Sequence, residues 1–436
     1  MNKFLNSSTF FSIFLTISFS NVILGQTNNE SLGNQAGSSI TNGDNNVLIG
    51  DNAGEELTTG SNNTFLGRNA GLNQKTVSDN VFVGKDSGKN NNSGGGLTFV
   101  GTESGKSNTT GDGNTFVGYK SGFSNLSSGK NTFLGTSTGY SNIAEYNTFV
   151  GSGAGYFNTS GEHNVYIGFQ SSWLTSIDSN NTAIGSQSDI VGSNSVCIGF
   201  TSKVFGSNNV SIGHLADVSS SNSISIGASS QVTGSNSIGI GYGTKVTAAN
   251  SVYIGNTSMT SISGIVNWTA TSDGRFKTNV KENIKGLDFI NKLRPVSYNY
   301  KTEKIEKFYG KEIPESLKNS SREKDEIRYS GFIAQEVEKI AKELNFDFSG
   351  VDAPQDKDSQ IYGIRYAEFV VPLVKAVQEL SKTVESQNEE ISNLKLQQKI
   401  ILAQNELIKE LERKLIKLEE DSKDSITPLY KLISKN

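Results

Sequence analysis

The sequence predicts a mainly β solenoid, followed by an α+β domain and a C-terminal coiled coil. A glycine preceded by an aliphatic residue recurs at near-constant spacing as far as residue 255. Charge is concentrated further on: residues 26–271 hold 23 Lys, Arg, Asp and Glu side chains, whereas residues 272–436 hold 58. The chain then shows apolar residues at alternating spacings of three and four, which is typical of a coiled coil. A length of 436 residues leaves room for several such domains.

Residues 1–25 are predicted to be a secretory signal peptide. Lys3 supplies a positive start, and the apolar run from Phe10 to Phe19 is too short to span a bilayer. Cleavage after Gly25 would leave Gln26 as the first residue. We therefore expect a protein that is secreted or at the cell surface, with no integral membrane segment once the signal is removed.

The repeat region spans residues 26–255. Its glycines are 17 residues apart, with one interval of 16, as far as Gly185, and 14 residues apart thereafter. Such self-similarity predicts a solenoid with one coil per repeat and shorter coils after Gly185. The repeated glycines are Gly33, Gly50, Gly67, Gly84, Gly101, Gly118, Gly135, Gly151, Gly168, Gly185, Gly199, Gly213, Gly227, Gly241 and Gly255.

Two apolar rows run along the 17-residue coils. The residue before each glycine is aliphatic, as in Ile49 and Leu66, and the one before that is mostly phenylalanine, as in Phe65 and Phe116. Adjacent residues of a strand point to opposite faces, so one row faces the coil interior and the other faces outward. A row of phenylalanines would be a large exposed patch unless it were covered, and an identical neighbouring chain is the simplest cover. The pattern therefore predicts an oligomer.

The 14-residue coils have a different pattern. Apolar residues stand three and one before the glycine, as in Val196 and Ile198, with a small residue such as Cys197 between them. Asparagine precedes the strands of both kinds of coil, where stacked side chains can satisfy backbone groups. The unbroken apolar rows argue against a disordered linker, which is the alternative for a sequence rich in Gly, Asn and Ser.

The short coils, such as Asn222–Gly227 and Asn250–Gly255, resemble the head repeats of trimeric autotransporter adhesins. The resemblance covers residues 185–255 well and the long coils loosely. It implies a left-handed parallel β-roll that is wound as a trimer.

A linker, residues 256–271, leads from the repeats to Ser272. Asp273 and Gly274 favour a tight turn that would bring Lys277 back toward Ser272. A serine hydroxyl is a poor nucleophile without a base, and lysine serves as that base only when it is neutral. Burial lowers the ordinary lysine pKa of about 10.4, so a Ser–Lys pair is feasible only when packed protein encloses it. On spacing alone the pair carries little weight, because serine and lysine five residues apart are common.

Three blocks in order resemble the intramolecular chaperone auto-processing domain, which ends phage tail spikes, endosialidases and the myelin-regulatory membrane-bound transcription factors. The blocks are Ser272–Lys277, Gly286–Tyr298 and Gly331–Glu338. The resemblance implies that residues 272–375 form a chaperone that assembles a trimer and then cuts itself off.

The same resemblance implies a role for each residue of the first block. Ser272 would be the nucleophile, Lys277 the general base, and the bond between Ser272 and Asp273 the one that is cut. Phe276 stands where the family usually has leucine. The oxyanion-hole groups stay open at this point.

The rest of this region is read from its pattern. Residues 331–338 are predicted to be a strand that leads into an amphipathic helix and has a packing role. The alternative is that Gln335 and Glu336 form a second catalytic element. Residues 301–329 and 345–360 are polar and weakly patterned, and we expect surface loops there.

A helix is predicted from about Tyr366, with a three-stranded coiled coil over residues 376–420 and a tail over residues 421–436. A lone amphipathic helix packed on its own domain is the alternative, and Pro428 is expected to mark the helix end. The predicted seam is Val377, Leu380, Val384, Gln387, Ile391, Leu394, Gln398 and Ile401, then, after a slip of three, Gln404, Ile408, Leu411, Leu415 and Leu418.

Composition excludes several function classes. A net charge of −4 gives no electrostatic case for nucleic-acid binding. One cysteine, Cys197, precludes an intrachain disulfide, and with His163 and His214 it is too little for a metal cluster. We expect Cys197 to pack as a small apolar residue, and we expect no cofactor.

Together these observations predict a secreted homotrimeric fibre that acts once, as a self-cleaving serine endopeptidase with no other substrate. The alternative is a non-cleaving surface adhesin or receptor-binding fibre. A cell-surface molecule or a polysaccharide is the kind of ligand expected, and the sequence does not identify it.

Overall fold

The computed structural model describes residues 28–433, except 175–176, 357 and 359, and side chains only as far as residue 423. The predicted signal peptide, 1–25, lies outside the described residues. The chain forms two compact units. The first extends to Ile262 and includes Thr302–Lys324, and the second comprises Ser263–Lys301 and the chain from Asp325 onward. No helix within the described part of the chain combines the length and apolarity needed to cross a membrane.

The first unit is a parallel β-solenoid of about 14 turns. Within the described residues its main sheet has 15 strands, each hydrogen-bonded to the strand of the next coil. The strands are Glu30–Leu32, Val47–Ile49, Thr64–Leu66, Val81–Val83, Thr98–Val100, Thr115–Val117, Thr132–Leu134, Thr148–Val150, Val165–Ile167, Thr182–Ile184, Val196–Ile198, Val210–Ile212, Ile224–Ile226, Ile238–Ile240 and Val252–Ile254.

The strand register confirms the coil lengths that the glycines predict. Phe82 lies opposite Phe99 in the long coils, and Cys197 lies opposite Ser211 in the short ones. The short coils carry a second parallel sheet of 5 strands in the described chain. Its strands are Asp189–Val191, Lys203–Phe205, Asp217–Ser219, Gln231–Val232 and Lys245–Val246.

The phenylalanine row lies inside the coil, which corrects the expectation that a neighbouring chain covers it. Each ring is fully buried and stacks on the ring of the next coil, with centroids 4.8–5.1 Å apart. The cross-section of a 17-residue coil accommodates a phenyl ring, so the coil covers its own aromatic row. The members are Phe65, Phe82, Phe99, Phe116, Phe133, Phe149 and the last ring, Tyr166.

The corner glycines are part of this packing. Gly105 has φ +55°, and a Cβ at this position would lie 2.4 Å from the ring of Phe99. Only glycine combines this left-handed backbone with so close an approach to the ring.

In the short coils the small residues face inward. The second sheet lines the opposite wall with fully buried Val204, Val218 and Val232. A Cβ on Gly239 would lie 2.9 Å from Val232, so little room is left for a side chain there. Cys197 is fully buried in the same row, as expected, and burial raises the pKa of its thiol to about 11.

The aliphatic row is the one that faces outward. Leu66, Leu134 and Ile240 keep 44%, 48% and 38% of their surface exposed. In the short coils a second apolar residue, such as Ile224 beside Ile226, joins this row on the same face. Among the described residues, the outer face of the main sheet therefore carries a row of partly exposed aliphatic side chains, which threonine accompanies in most of the long coils.

Stacked asparagines tie the long coils together, as predicted. The Asn63 side chain donates to the carbonyl of Val77 at 3.0 Å and accepts the backbone N–H of Asn80 at 3.1 Å. Each such amide links two coils, because it serves backbone groups that the turns leave unpaired.

The second unit has a small α+β core. Phe289, from the helix Leu287–Ile290, is fully buried and is surrounded by aromatic and aliphatic side chains. Two short antiparallel pairs flank the core: Val296–Tyr298 with Tyr329–Gly331, and Val351–Asp352 with Gly363–Ile364. The other buried members are Leu293, Val337, Ala341, Phe346 and Phe369.

The packing role predicted for residues 331–338 is confirmed. The strand Tyr329–Gly331 leads into the helix Ala334–Glu343, whose Val337 is buried in the core. The loop predicted for 301–329 is wrong, because this stretch contains the helices Thr302–Phe308 and Lys318–Glu326 and the 3-10 turn Glu315–Leu317. This stretch has too few apolar side chains to show a helical period, so the sequence pattern did not predict these helices.

A 3-10 turn, Tyr366–Phe369, leads into the long C-terminal helix Val370–Ile433. This helix continues past Pro428, so the helix end that we expected there is wrong, although a proline inside a helix removes one N–H donor. The predicted seam residues are exposed, for example Leu394 at 56% and Leu415 at 60%.

Candidate functional site

The site begins with a short turn at the junction of the two predicted regions. Asp273 caps the 3-10 turn Gly274–Phe276 by accepting the backbone N–H of Arg275. Within the turn, the N–H of Phe276 donates to the carbonyl of Asp273, and the N–H of Lys277 donates to that of Gly274, both at 3.2 Å. The chain thus reverses between Ser272 and Lys277, as Asp-Gly predicts.

An ion pair holds this turn. The Arg275 guanidinium donates to both carboxylate oxygens of Asp273: Nε lies 3.2 Å from Oδ1 and 2.9 Å from Oδ2, and a terminal nitrogen lies 2.6 Å from Oδ2. These hydrogen bonds keep the pKa of the Asp273 carboxyl below its usual range. Sequence reasoning missed Arg275, although an arginine two residues after an N-capping aspartate is a visible signal.

The turn places the two predicted catalytic side chains together. Lys277 Nζ lies 2.7 Å from Ser272 Oγ, which is within the range of a nucleophile–base pair. The lysine donates in this contact, and both side chains are exposed in the single chain. Chemically, the pair can pass a proton from the hydroxyl to the amine only when the amine is neutral.

Residues 272–345 match the chaperone-of-endosialidase family model. The match begins at Ser272 itself and includes all three blocks on which the resemblance was based, which confirms that recognition. The family is named as a peptidase family, and this name implies self-cleavage. No curated protein is similar enough to the chain to count as a match.

The residues around the turn of this chaperone-of-endosialidase segment are unusually apolar for an exposed stretch. Trp268 is 89% exposed, Phe276 77% and Val280 81%. Apolar side chains of this size are normally removed from water, so a covering partner at this junction would bury them and the Ser–Lys pair together.

Glu336 has a structural partner inside the same segment. It accepts two hydrogen bonds from the Arg294 guanidinium and so joins the start of the helix Ala334–Glu343 to the chain before Val296. This ion pair accounts for Glu336 without a catalytic role.

Proposed function

We propose that this protein is a secreted homotrimeric fibre whose C-terminal part promotes trimer assembly and is released by one cut between Ser272 and Asp273. The observation that carries the proposal is the 2.7 Å contact of Lys277 Nζ with Ser272 Oγ, at the first residue of the matched segment. A solenoid before the chaperone segment fits a protein like a tail fibre.

The proposed chemistry uses only this chain's own groups. Neutral Lys277 takes the proton of the Ser272 hydroxyl as Oγ attacks the carbonyl carbon of the Ser272–Asp273 peptide bond, forming a C–O bond. The C–N bond then breaks, and the Lys277 ammonium gives its proton to the leaving amine of Asp273. Water hydrolyses the resulting ester and restores the Ser272 hydroxyl. Overall, one water molecule is added across the Ser272–Asp273 bond, giving a carboxylate on one piece and an amine on the other. Packing of three copies around the exposed junction would desolvate Lys277, so assembly comes before cutting.

Cutting is tested with Ser272→Ala in the full chain. We expect wild-type protein to give two pieces on a denaturing gel, one with the mass of a fragment that starts at Asp273, and Ser272→Ala to stay whole. Ser263→Ala, in the same exposed linker, is the matched control and should be cut like wild type. A wild-type chain that stays whole, or a Ser272→Ala chain that is cut at the same bond, would contradict the proposal.

A second candidate is the adhesin or receptor-binding fibre that does not cut itself. A surface row of stacked aromatics favours a binding role for the solenoid: Tyr140 lies 5.0 Å from Phe123 and 4.8 Å from Tyr156, and Trp173 continues the row. A wild-type chain that stays whole in the gel experiment would favour this function.

A further inference from the structure

Residues 302–324, here called the latch, belong to the solenoid's compact unit although they come late in the chain. They contain the helix Thr302–Phe308 and most of the helix Lys318–Glu326. The chain on both sides of the latch belongs to the second unit. The latch is thus the part of the C-terminal region that packs on the last coils.

The first group of contacts is polar and involves lysines. Lys245, from the last strand of the second sheet, donates to the carbonyl of Tyr309 at 3.0 Å and lies 5.7 Å above its ring. In return, Lys311 reaches the carbonyl of Gly243. Burial, together with the neighbouring charge of Lys245, lowers the pKa of Lys311.

The second group lies just after the last coil. The hydroxyls of Ser258 and Ser321 are 2.8 Å apart, and both residues are buried. Thr257 hydrogen-bonds to Glu306. Lys324 donates to the carbonyl of Met259 at 2.6 Å.

The contact is not packed throughout. A cavity of about 400 Å³ lies between latch and coils, lined by Asp217, Gln231 and Tyr242 on one side and by Glu306, Lys311 and Leu317 on the other. A surface held mainly by hydrogen bonds around an open cavity resembles a separable interface more than the core of a domain.

We propose that the latch holds the C-terminal piece on the last coils after the cut, so that release is a second step, separate from cutting. This inference rests on the proposed function. All the coil partners precede Ser272 and all the latch partners follow Asp273, so the cut turns an intramolecular contact into one between two molecules. In a trimer, three latches act together, which strengthens retention without any new contact.

The test compares two tryptophan variants of one helix by native gel filtration of the self-cut full chain. Ser321→Trp places a large side chain into the buried contact with Ser258, whereas Ser320→Trp is exposed on the same helix. We expect the pieces of wild type and of Ser320→Trp to elute together. In Ser321→Trp, the fraction of the C-terminal piece that elutes with the solenoid piece should be at least about tenfold lower than in wild type. Equal retention of the two variants would overturn the latch.

A milder change guards against misfolding. Glu306→Ala removes the hydrogen bond to Thr257 without adding bulk, and Glu323→Ala, exposed in the latch, is its control. We expect weaker retention for Glu306→Ala alone, and equal retention of these two variants would also count against the latch.

A second arm separates the latch from self-cutting. A protease recognition sequence inserted after Ser263 in Ser272→Ala allows the exposed linker to be cut from outside. If self-cutting fails but the latch is real, the externally cut pieces still elute together, and they separate when Ser321→Trp is added. If these pieces separate without Ser321→Trp, the latch is wrong whether or not the chain cuts itself.

Discussion

At the scale of single residues, the ion pair between Asp273 and Arg275 lies within the turn that joins Ser272 to Lys277. The Arg275 guanidinium donates hydrogen bonds to both carboxylate oxygens of Asp273, and the same turn brings Lys277 Nζ to Ser272 Oγ. Because the pKa of Asp273 is lowered, the ion pair is intact at neutral pH and is lost only as the pH falls through that lowered value. The turn, more than the chain spacing, brings hydroxyl and amine together.

We therefore predict that Arg275→Leu slows self-cutting by at least about tenfold. Arg275→Lys should recover only part of the rate, because an ammonium cannot bind a carboxylate in the planar two-point manner of a guanidinium. The half-time of appearance of the Asp273 fragment is the measurement. Lys281→Leu, which is exposed nearby, should cut at the wild-type rate. If Arg275→Leu cuts itself as fast as wild type, the ion pair does not position the turn.

At the scale of elements, the buried aromatic row is the main apolar content of the long coils. Phe116 stacks between Phe99 and Phe133 at 4.8 Å on each side. Each coil contacts its two neighbours, so the stability of the array is close to a sum of local terms. Removing one ring should therefore destabilise mainly its own coil and the two adjacent coils.

Phe116→Ala is expected to lower the free energy of unfolding of the long coils by about 3–5 kcal/mol. Phe123→Ala, in the same coil but only half-buried, should lower this free energy by no more than about 1.5 kcal/mol, because complete burial of a phenylalanine contributes about 1.5–3 kcal/mol. Denaturant unfolding with hydrogen exchange resolved by strand measures both. Similar losses at the two positions would mean that the inner row does not dominate the stability of the coil.

At the scale of the whole molecule, the outer face of the main sheet is where the proposed trimer would form. The apolar residues on this face are aliphatic, and in the short coils two of them flank each small inner residue. This face replaces the phenylalanine row as the surface that copies would cover. The exposed seam of the C-terminal helix offers a second such surface.

If the proposed trimer forms, the double change Ile226→Lys with Ile240→Lys should reduce it to smaller species, because the change puts charge into the proposed interface while each coil keeps its own core. Light scattering gives the mass, and circular dichroism reports whether the sheet is kept. Ala249→Lys, in an exposed turn, is the control and should remain trimeric. A double variant that keeps the wild-type mass would place the interface elsewhere.

Much of this molecule is determined by sequence spacing. Glycines 17 and then 14 residues apart define the coils, because each coil adds one short strand in register with the last. The Asp-Gly pair after Ser272 predicts the reversal that the structure contains, and the three blocks predict the family match.

Only the tertiary structure decided which face of the strands is inside. Alternation along a strand defines two faces, but when both faces are apolar it does not tell which one points into the coil. The space inside the coil decides this. A phenyl ring fits inside the 17-residue coil, whereas in the 14-residue coil the valines of the second sheet leave space for little more than Cys197 or Gly239. The latch was hidden for a related reason. Its contacts are hydrogen bonds between residues some 49–68 positions apart, and such contacts leave no period in the sequence.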